Sequence, residues 1–148
     1  MRLTVKRVQL WRNEVESRPG LLAGTLGTLA SAGGDLDVVM AYRYPGNQTK
    51  GAIEVHPVRG RKMEAAAEAA GLSPTSIAAL RVEGDNRPGL GYLITRAIAD
   101  AGINIAFLVT QVIGRRYTCI IGFENDADAA QTAGLIRKAV SKKSRQSR

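Results

Sequence analysis

Arg18-Pro19-Gly20-Leu21 and Arg87-Pro88-Gly89-Leu90 are the same tetrapeptide, set 69 residues apart. The same offset lays Ala30-x-Ala32-Gly33 over Ala99-x-Ala101-Gly102 and Arg12-x-Glu14 over Arg81-x-Glu83. It also lays Asp35 over Asn104 and the apolar Val38-Val39-Met40 over Phe107-Leu108-Val109, with no gap anywhere. Polar and apolar positions agreeing at one offset mark an internal repeat, and they divide the 148 residues into two small domains. We place these at 1–72 and 73–141, followed by a basic tail at 142–148 that is expected to be disordered.

Each copy of the tetrapeptide follows a segment that reads as a strand, Leu3 to Glu14 in the first and Ser76 to Glu83 in the second. Pro19 and Pro88 suit the first turn of a helix, where a missing N–H costs nothing. Leu22, Leu26 and Leu29 then recur at helical spacing, as do Leu90, Ile94, Ile98 and Ala101, and Gly33 and Gly102 suit the stops. β-rich runs follow at Asp35 to Tyr44 and Ile103 to Ile113. They reverse at Pro45-Gly46-Asn47 and Gly114-Arg115 and return over Gly51 to His56 and Tyr117 to Phe123. Second helices are expected over Arg61 to Ala70 and Asp126 to Ser141. The order strand, helix, strand, strand, helix predicts an α+β fold: two tandem ferredoxin-like repeats, each with its helices on one face of an antiparallel sheet. Each repeat lacks a fourth strand. The first strand of each would then expose an edge, which predicts that the copies pair edge to edge, within the chain or across a dimer.

Apolar residues make up 45% of the chain and aromatics 5%, so the cores must be aliphatic. The formal net charge of +8 raises nucleic-acid binding as an alternative, but half of it lies in the last eight residues, on Lys142, Lys143, Arg145 and Arg148. The strands offer Val, Ile, Leu and Met, with Tyr42, Tyr44 and Tyr117 scattered near their ends, where RNA-reading sheets present stacking aromatics. Nucleic acid is therefore disfavoured as a partner. The N-terminal residues lack the apolar core of a signal peptide, no apolar run is long enough to span a bilayer, and Cys119 is alone, which together predict a cytoplasmic protein with no membrane partner.

Val82-Glu83-Gly84-Asp85-Asn86-Arg87-Pro88-Gly89-Leu90, followed by Ala101-Gly102-Ile103-Asn104-Ile105, resembles the ACT domain, a regulatory module that binds amino acids. The resemblance covers both copies. It implies a βαββα fold of ACT type and a ligand held at a domain interface by Asp85, Asn86, Arg87, Pro88, Gly89 and Leu90 before the helix and by Asn104 and Ile105 after it. The first copy departs from the pattern, with Glu16-Ser17-Arg18-Pro19-Gly20 and Gly33-Gly34-Asp35-Leu36 at the two asparagine positions. Ser17, Arg18, Gly20, Leu21 and Asp35 thus mark a second candidate site of different chemistry.

The chemistry of these residues agrees with that implication. N–H groups at a helix N-terminus suit an α-carboxylate, and Asn86 and Asn104 each offer both an acceptor and a donor, so between them they suit a zwitterion. Gly89 admits close approach to the backbone. Plainer readings stand beside these. Arg18 and Arg87 read first as solvated or paired surface charges, Asp35 as a cap, and Asn104 also as a turn residue. His56 has no second histidine to share a metal, Cys119 reads as a buried inert thiol, Trp11 as core or dimer interface, and Gly24 and Gly27 as close packing.

No constellation for catalysis, metal or cofactor is evident, so the expected function is a non-catalytic sensor of a free amino acid or similar metabolite. It would act as a homodimer, through linkage, on an enzyme or transporter in trans. A basic nucleic-acid binder and an assembly partner without ligand are the alternatives.

Overall fold

The structure is a computed structural model that describes residues 3–146, with side chains to residue 142. The chain runs β1 (Leu3–Val8), β2 (Trp11–Glu16), α1 (Leu21–Ser31), β3 (Val38–Arg43), β4 (Lys50–His56), α2 (Arg61–Ala69), β5 (Ser73–Pro74), β6 (Ala78–Asp85), α3 (Leu90–Asp100), β7 (Phe107–Ile113), β8 (Arg116–Phe123) and α4 (Asp126–Gln146). The strands form two four-stranded antiparallel sheets, ordered β3-β4-β2-β5 and β1-β6-β8-β7. These are two tandem ferredoxin-like βαββα repeats, as the sequence predicts.

The long first strand expected from Leu3 to Glu14 is two strands that serve different sheets. β1 leaves its own repeat and pairs with β6, in the register Val5 to Val82 and Arg7 to Leu80. Residues 3–8 accordingly join 76–146 in one unit, while Gln9–Thr75 forms the other, which departs from the boundary drawn at 72. The reason is the vacancy read from the sequence: the second repeat ends in a helix, so β6 needs a neighbour, and β1 alternates residues that suit it. Val5 lies in the same core as Val82, Cys119 and Ile121, and Arg7 ion-pairs with Asp126 at the start of α4. Arg137 from α4 donates to the carbonyl of Val5 at 3.0 Å.

The first repeat fills the same position with β5, whose two residues pair with Trp11 and Arg12. Gln9 stands at the change of sheet, its side-chain amide donating to the carbonyls of Leu10 and Thr75, and its own carbonyl lying 3.1 Å from His56 Nδ1. The edge-to-edge pairing expected of the copies is thus met in part within the chain: β1, the first half of the strand expected for the first copy, pairs with β6, the first strand of the second, while β2 is paired by β5 of its own repeat. The outer edges that remain include β3 and β7.

The cores are aliphatic. That of 9–75 gathers Leu29, Ile53, Val55 and Met63 around Trp11, which is core as one of its two readings held. The other gathers Leu80, Val82, Leu90, Ile94, Ile98, Ile121 and Ile136. The apolar stripe of α3 is buried as its spacing predicts, whereas α1 buries only Thr25 and Leu29 and leaves Leu22 36% exposed. Gly24 and Gly27 are not close-packing sites: a methyl group at either would meet nothing within 4 Å. The last helix continues past Ser141 to Gln146, so residues 142–146, expected as tail, are helical, and the tail's last two residues lie outside the described residues.

The two edge strands of the second sheet allow a contrast. Val5 on β1 is 6% exposed and Val109 on β7 is 51% exposed. Val5→Asp buries an unpaired charge and should cost about 3 kcal/mol or more, while Val109→Asp should stay within about 0.5 kcal/mol in the isolated monomer. Urea denaturation of the two variants checks this, and equal losses would contradict the role given to β1.

Candidate functional site

In both repeats the loop before the first helix is built alike. The N–H of Ser17 donates to the carbonyl of Thr49 at 2.7 Å, and that of Asn86, its counterpart, donates to Arg115 at 2.7 Å, so each loop hangs from the hairpin of its own sheet. Gly20 and Gly89 cap the helices at φ +85° and +81°, a left-handed conformation that side chains resist. That is what the glycines supply. The helices begin at Leu21 and Leu90, two residues after the prolines, which therefore shape the loop and not the first helical turn. The N–H groups of Arg87 and Gly89 donate to nothing among the described residues.

Arg87 differs from the solvated surface charge expected of it. Its Nε and Nη2 are buried and have no hydrogen-bond partner among the described residues. These two nitrogens form one edge of the guanidinium, the fork that grips a carboxylate with two parallel bonds, and a buried fork left unfilled is costly. Asp85 is exposed and lies 3.7 Å from Arg116. The Leu90 side chain is 1% exposed and belongs to the core.

Asn104 and Ile105 follow the other end of α3. The exposed Asn104 precedes Ile105, which packs against the core. The eleven residues of α3 span about 16 Å, so Asn86 and Asn104 of one repeat are separated by more than the length of an amino acid. The structure therefore does not bring these two groups together within a repeat. Ser17 and Arg18 are likewise separated from the exposed Asp35 by α1.

A cavity of about 300 Å³ adjoins the loop of the first repeat, lined by Ser17, Arg18, Leu21, Leu22 and Tyr42 among others. This is within the range of small-molecule sites. A second, of about 380 Å³, lies on the other side of Arg18 along Gly20, Gly24 and Thr28. Asp35 lines neither.

Sequence reading missed one cluster. Register places Arg12, Glu14, Tyr42 and Glu54 on the helix-free face of the first sheet, with Arg12 and Met40 opposite Glu54, and Glu14 and Tyr42 opposite Ala52. The Tyr42 hydroxyl donates to the buried Glu54 at 3.0 Å, and the Tyr44 hydroxyl donates to Glu14 at 2.8 Å and accepts from Arg12. Burial, followed by the field of Glu54, pushes the Tyr42 phenol above its ordinary range. The alternation at 12 and 14 and at 42 and 44 was a visible signal, but only the pairing joins them. With Glu14 and Glu54 beside the one cation Arg12 in this cluster, it is poorly suited to phosphates.

Among the described residues, no group of three or more His, Cys, Asp or Glu could hold a metal, and no helix is long and apolar enough to cross a membrane. His56 is buried against Gln9.

No protein-family model matches the chain, and no curated protein matches it. Solved structures do. The chain has the ACT-type fold. The regulatory subunit of aspartate kinase from Thermus thermophilus, in its ligand-free form, is 19% identical with a TM-score of 0.65, over 94% of this chain and 97% of that one. Protein BT0572 from Bacteroides thetaiotaomicron is 14% identical with a TM-score of 0.69, over 86% and 87%. E. coli aspartokinase III, in complex with lysine and aspartate, is 14% identical with a TM-score of 0.52 over 96% of this chain and 32% of that one. At such identities the likeness is one of fold. The ACT-type repeats of this chain thus share their architecture with regulatory subunits.

Cys119 is 1% exposed, and burial pushes its thiol up to about 11, above its ordinary value. In the unfolded chain the thiol ionises near its ordinary value of 9.0. The stability this confers is therefore present below that pH and lost as pH rises through the folded value. Against a Cys119→Ala variant, the stability advantage of the natural protein should shrink by about 2 kcal/mol between pH 8 and pH 11. Urea titrations at the two pH values check this, and a constant difference would mean an exposed thiol.

Proposed function

We propose that this chain is a non-catalytic sensor that binds a free amino acid or a similar small metabolite at the loops before its first helices. The observation that carries the reading is the buried fork of Arg87, which no group of the described residues pairs, together with the N–H groups of Arg87 and Gly89 in the same loop. An α-carboxylate is the anion whose shape fits such a fork. The fold shared with regulatory subunits of aspartate kinase supports a regulatory role, and a structure of a related fold with lysine and aspartate bound supports the ligand class.

Because α3 separates Asn86 from Asn104, a ligand held by Arg87 would meet the Asn104 of a second copy of the chain. The open edge of β7 supports such a dimer, with Val109, Val112 and Ile113 exposed by 51%, 47% and 64%. Ligand binding would favour one arrangement of the copies, and a partner enzyme would read it.

A thermal-shift screen against the twenty amino acids tests the reading. Ligand at a hundred times its Kd adds about 2.7 kcal/mol, which raises the midpoint by several degrees. The variants Arg87→Ala and Asn104→Ala should each abolish most of that shift while remaining folded. A screen with no hit, or a hit that both variants retain, would exclude this site.

A further inference from the structure

The helical face of the second unit carries a groove that the amino-acid site does not use. It lies between α3 and α4 and encloses about 480 Å³. Leu93 and Ala97 on α3, with Leu135 and Ala139 on α4, are half-buried and form its floor. The exposed side chains of Arg96, Asp100, Lys138 and Lys142 form its rims. Arg96 is already held by Asp100, through bonds of 2.8 and 2.6 Å. Lys138 and Lys142 form no ion pair among the described residues.

We propose that this groove docks an acidic, amphipathic segment of a protein partner, with apolar side chains against the floor and carboxylates against Lys138 and Lys142. Charge is the argument for the occupant. Lys138 and Lys142 stand one turn apart, an arrangement that is repulsive in isolation. Beyond Asp128, α4 has no acidic residue to relieve it, while it carries Arg137, Lys138, Lys142, Lys143 and Arg145. The helix dipole favours cations in the last turn, which accounts for the end of α4 but not for Lys138, eight residues before Gln146.

The groove is not a by-product of the fold. The cavity along α1 in the first repeat meets Gly20, Gly24 and Thr28, and α1 contains no charged residue. The aliphatic floor, with no aromatic side chain in the lining, favours a protein segment over a nucleic acid. The proposal does not depend on amino-acid binding.

The test is fluorescence anisotropy of the full chain with a labelled amphipathic peptide of Leu, Ala and Glu. Saturable binding is expected, weakened about tenfold or more in Lys138→Glu/Lys142→Glu. The control Arg59→Glu/Lys62→Glu changes the net charge equally at exposed positions of the other unit and should leave affinity near that of the natural protein. Equal weakening by the control would reduce the effect to bulk charge and overturn the proposal. So would equal binding of a peptide with Gln in place of Glu. Tighter binding of an oligouridine RNA, lost in the same Lys variant, would reassign the groove to nucleic acid and overturn it as well.

Discussion

The pairing of β1 with β6 is the constraint on which the rest depends. A ferredoxin-like repeat that ends in its second helix leaves the first strand with an unpaired edge, and unpaired backbone groups beside a core are costly. The chain meets this by sending its N-terminal strand into the sheet of its last repeat. That exchange fixes the order β1-β6-β8-β7. It also sets the break at Gln9 and Leu10, where the chain changes sheets and Gln9 ties into the first unit. Arg137 and Asp126 then fasten α4 to the same strand. A strand drawn from so far away in sequence makes the second unit dependent on both ends of its described chain.

With the sheets completed, the loops before α1 and α3 are held in one shape by the same few bonds. A hairpin carbonyl receives one N–H, and a left-handed glycine turns the chain into the helix. The scaffold is thus duplicated while the chemistry is not. Asn86, Arg87 and Asn104 correspond in the repeat to Ser17, Arg18 and Asp35. A cavity adjoins Ser17 and Arg18 in the first copy, while the second buries two nitrogens of Arg87. The helical faces diverge in the same way: α3 carries the Arg96 and Asp100 pair where α1 has Gly27 and Ser31. A duplicated fold with unequal surfaces suits a protein whose two halves serve different contacts.

Much of this was legible from residues whose constraints are local. The tetrapeptide Arg-Pro-Gly-Leu, the helical spacing of Leu90, Ile94 and Ile98, and the hairpin residues around Gly46 and Gly114 each act within a few positions. They specified the repeat, the element order and the α+β class. The same local logic placed the candidate loops at the strand-to-helix turns and read Cys119 as buried.

What required the tertiary structure is whatever depends on partners distant in sequence. Leu3 to Glu14 reads as one strand because alternation says nothing about which sheet receives it, and only the open edge of β6 claims its first half. Arg87 reads as a surface charge because burial of its fork is a property of the folded loop. Asn86 and Asn104 read as one pair because the motif lists them together, yet a helix of eleven residues stands between them. The sequence by itself determined the elements and their repetition, since propensity and periodicity are local. Tertiary structure alone decided strand exchange, the unfilled fork and the separation of the asparagines, since these follow from pairing and distance between segments that the chain brings together only on folding.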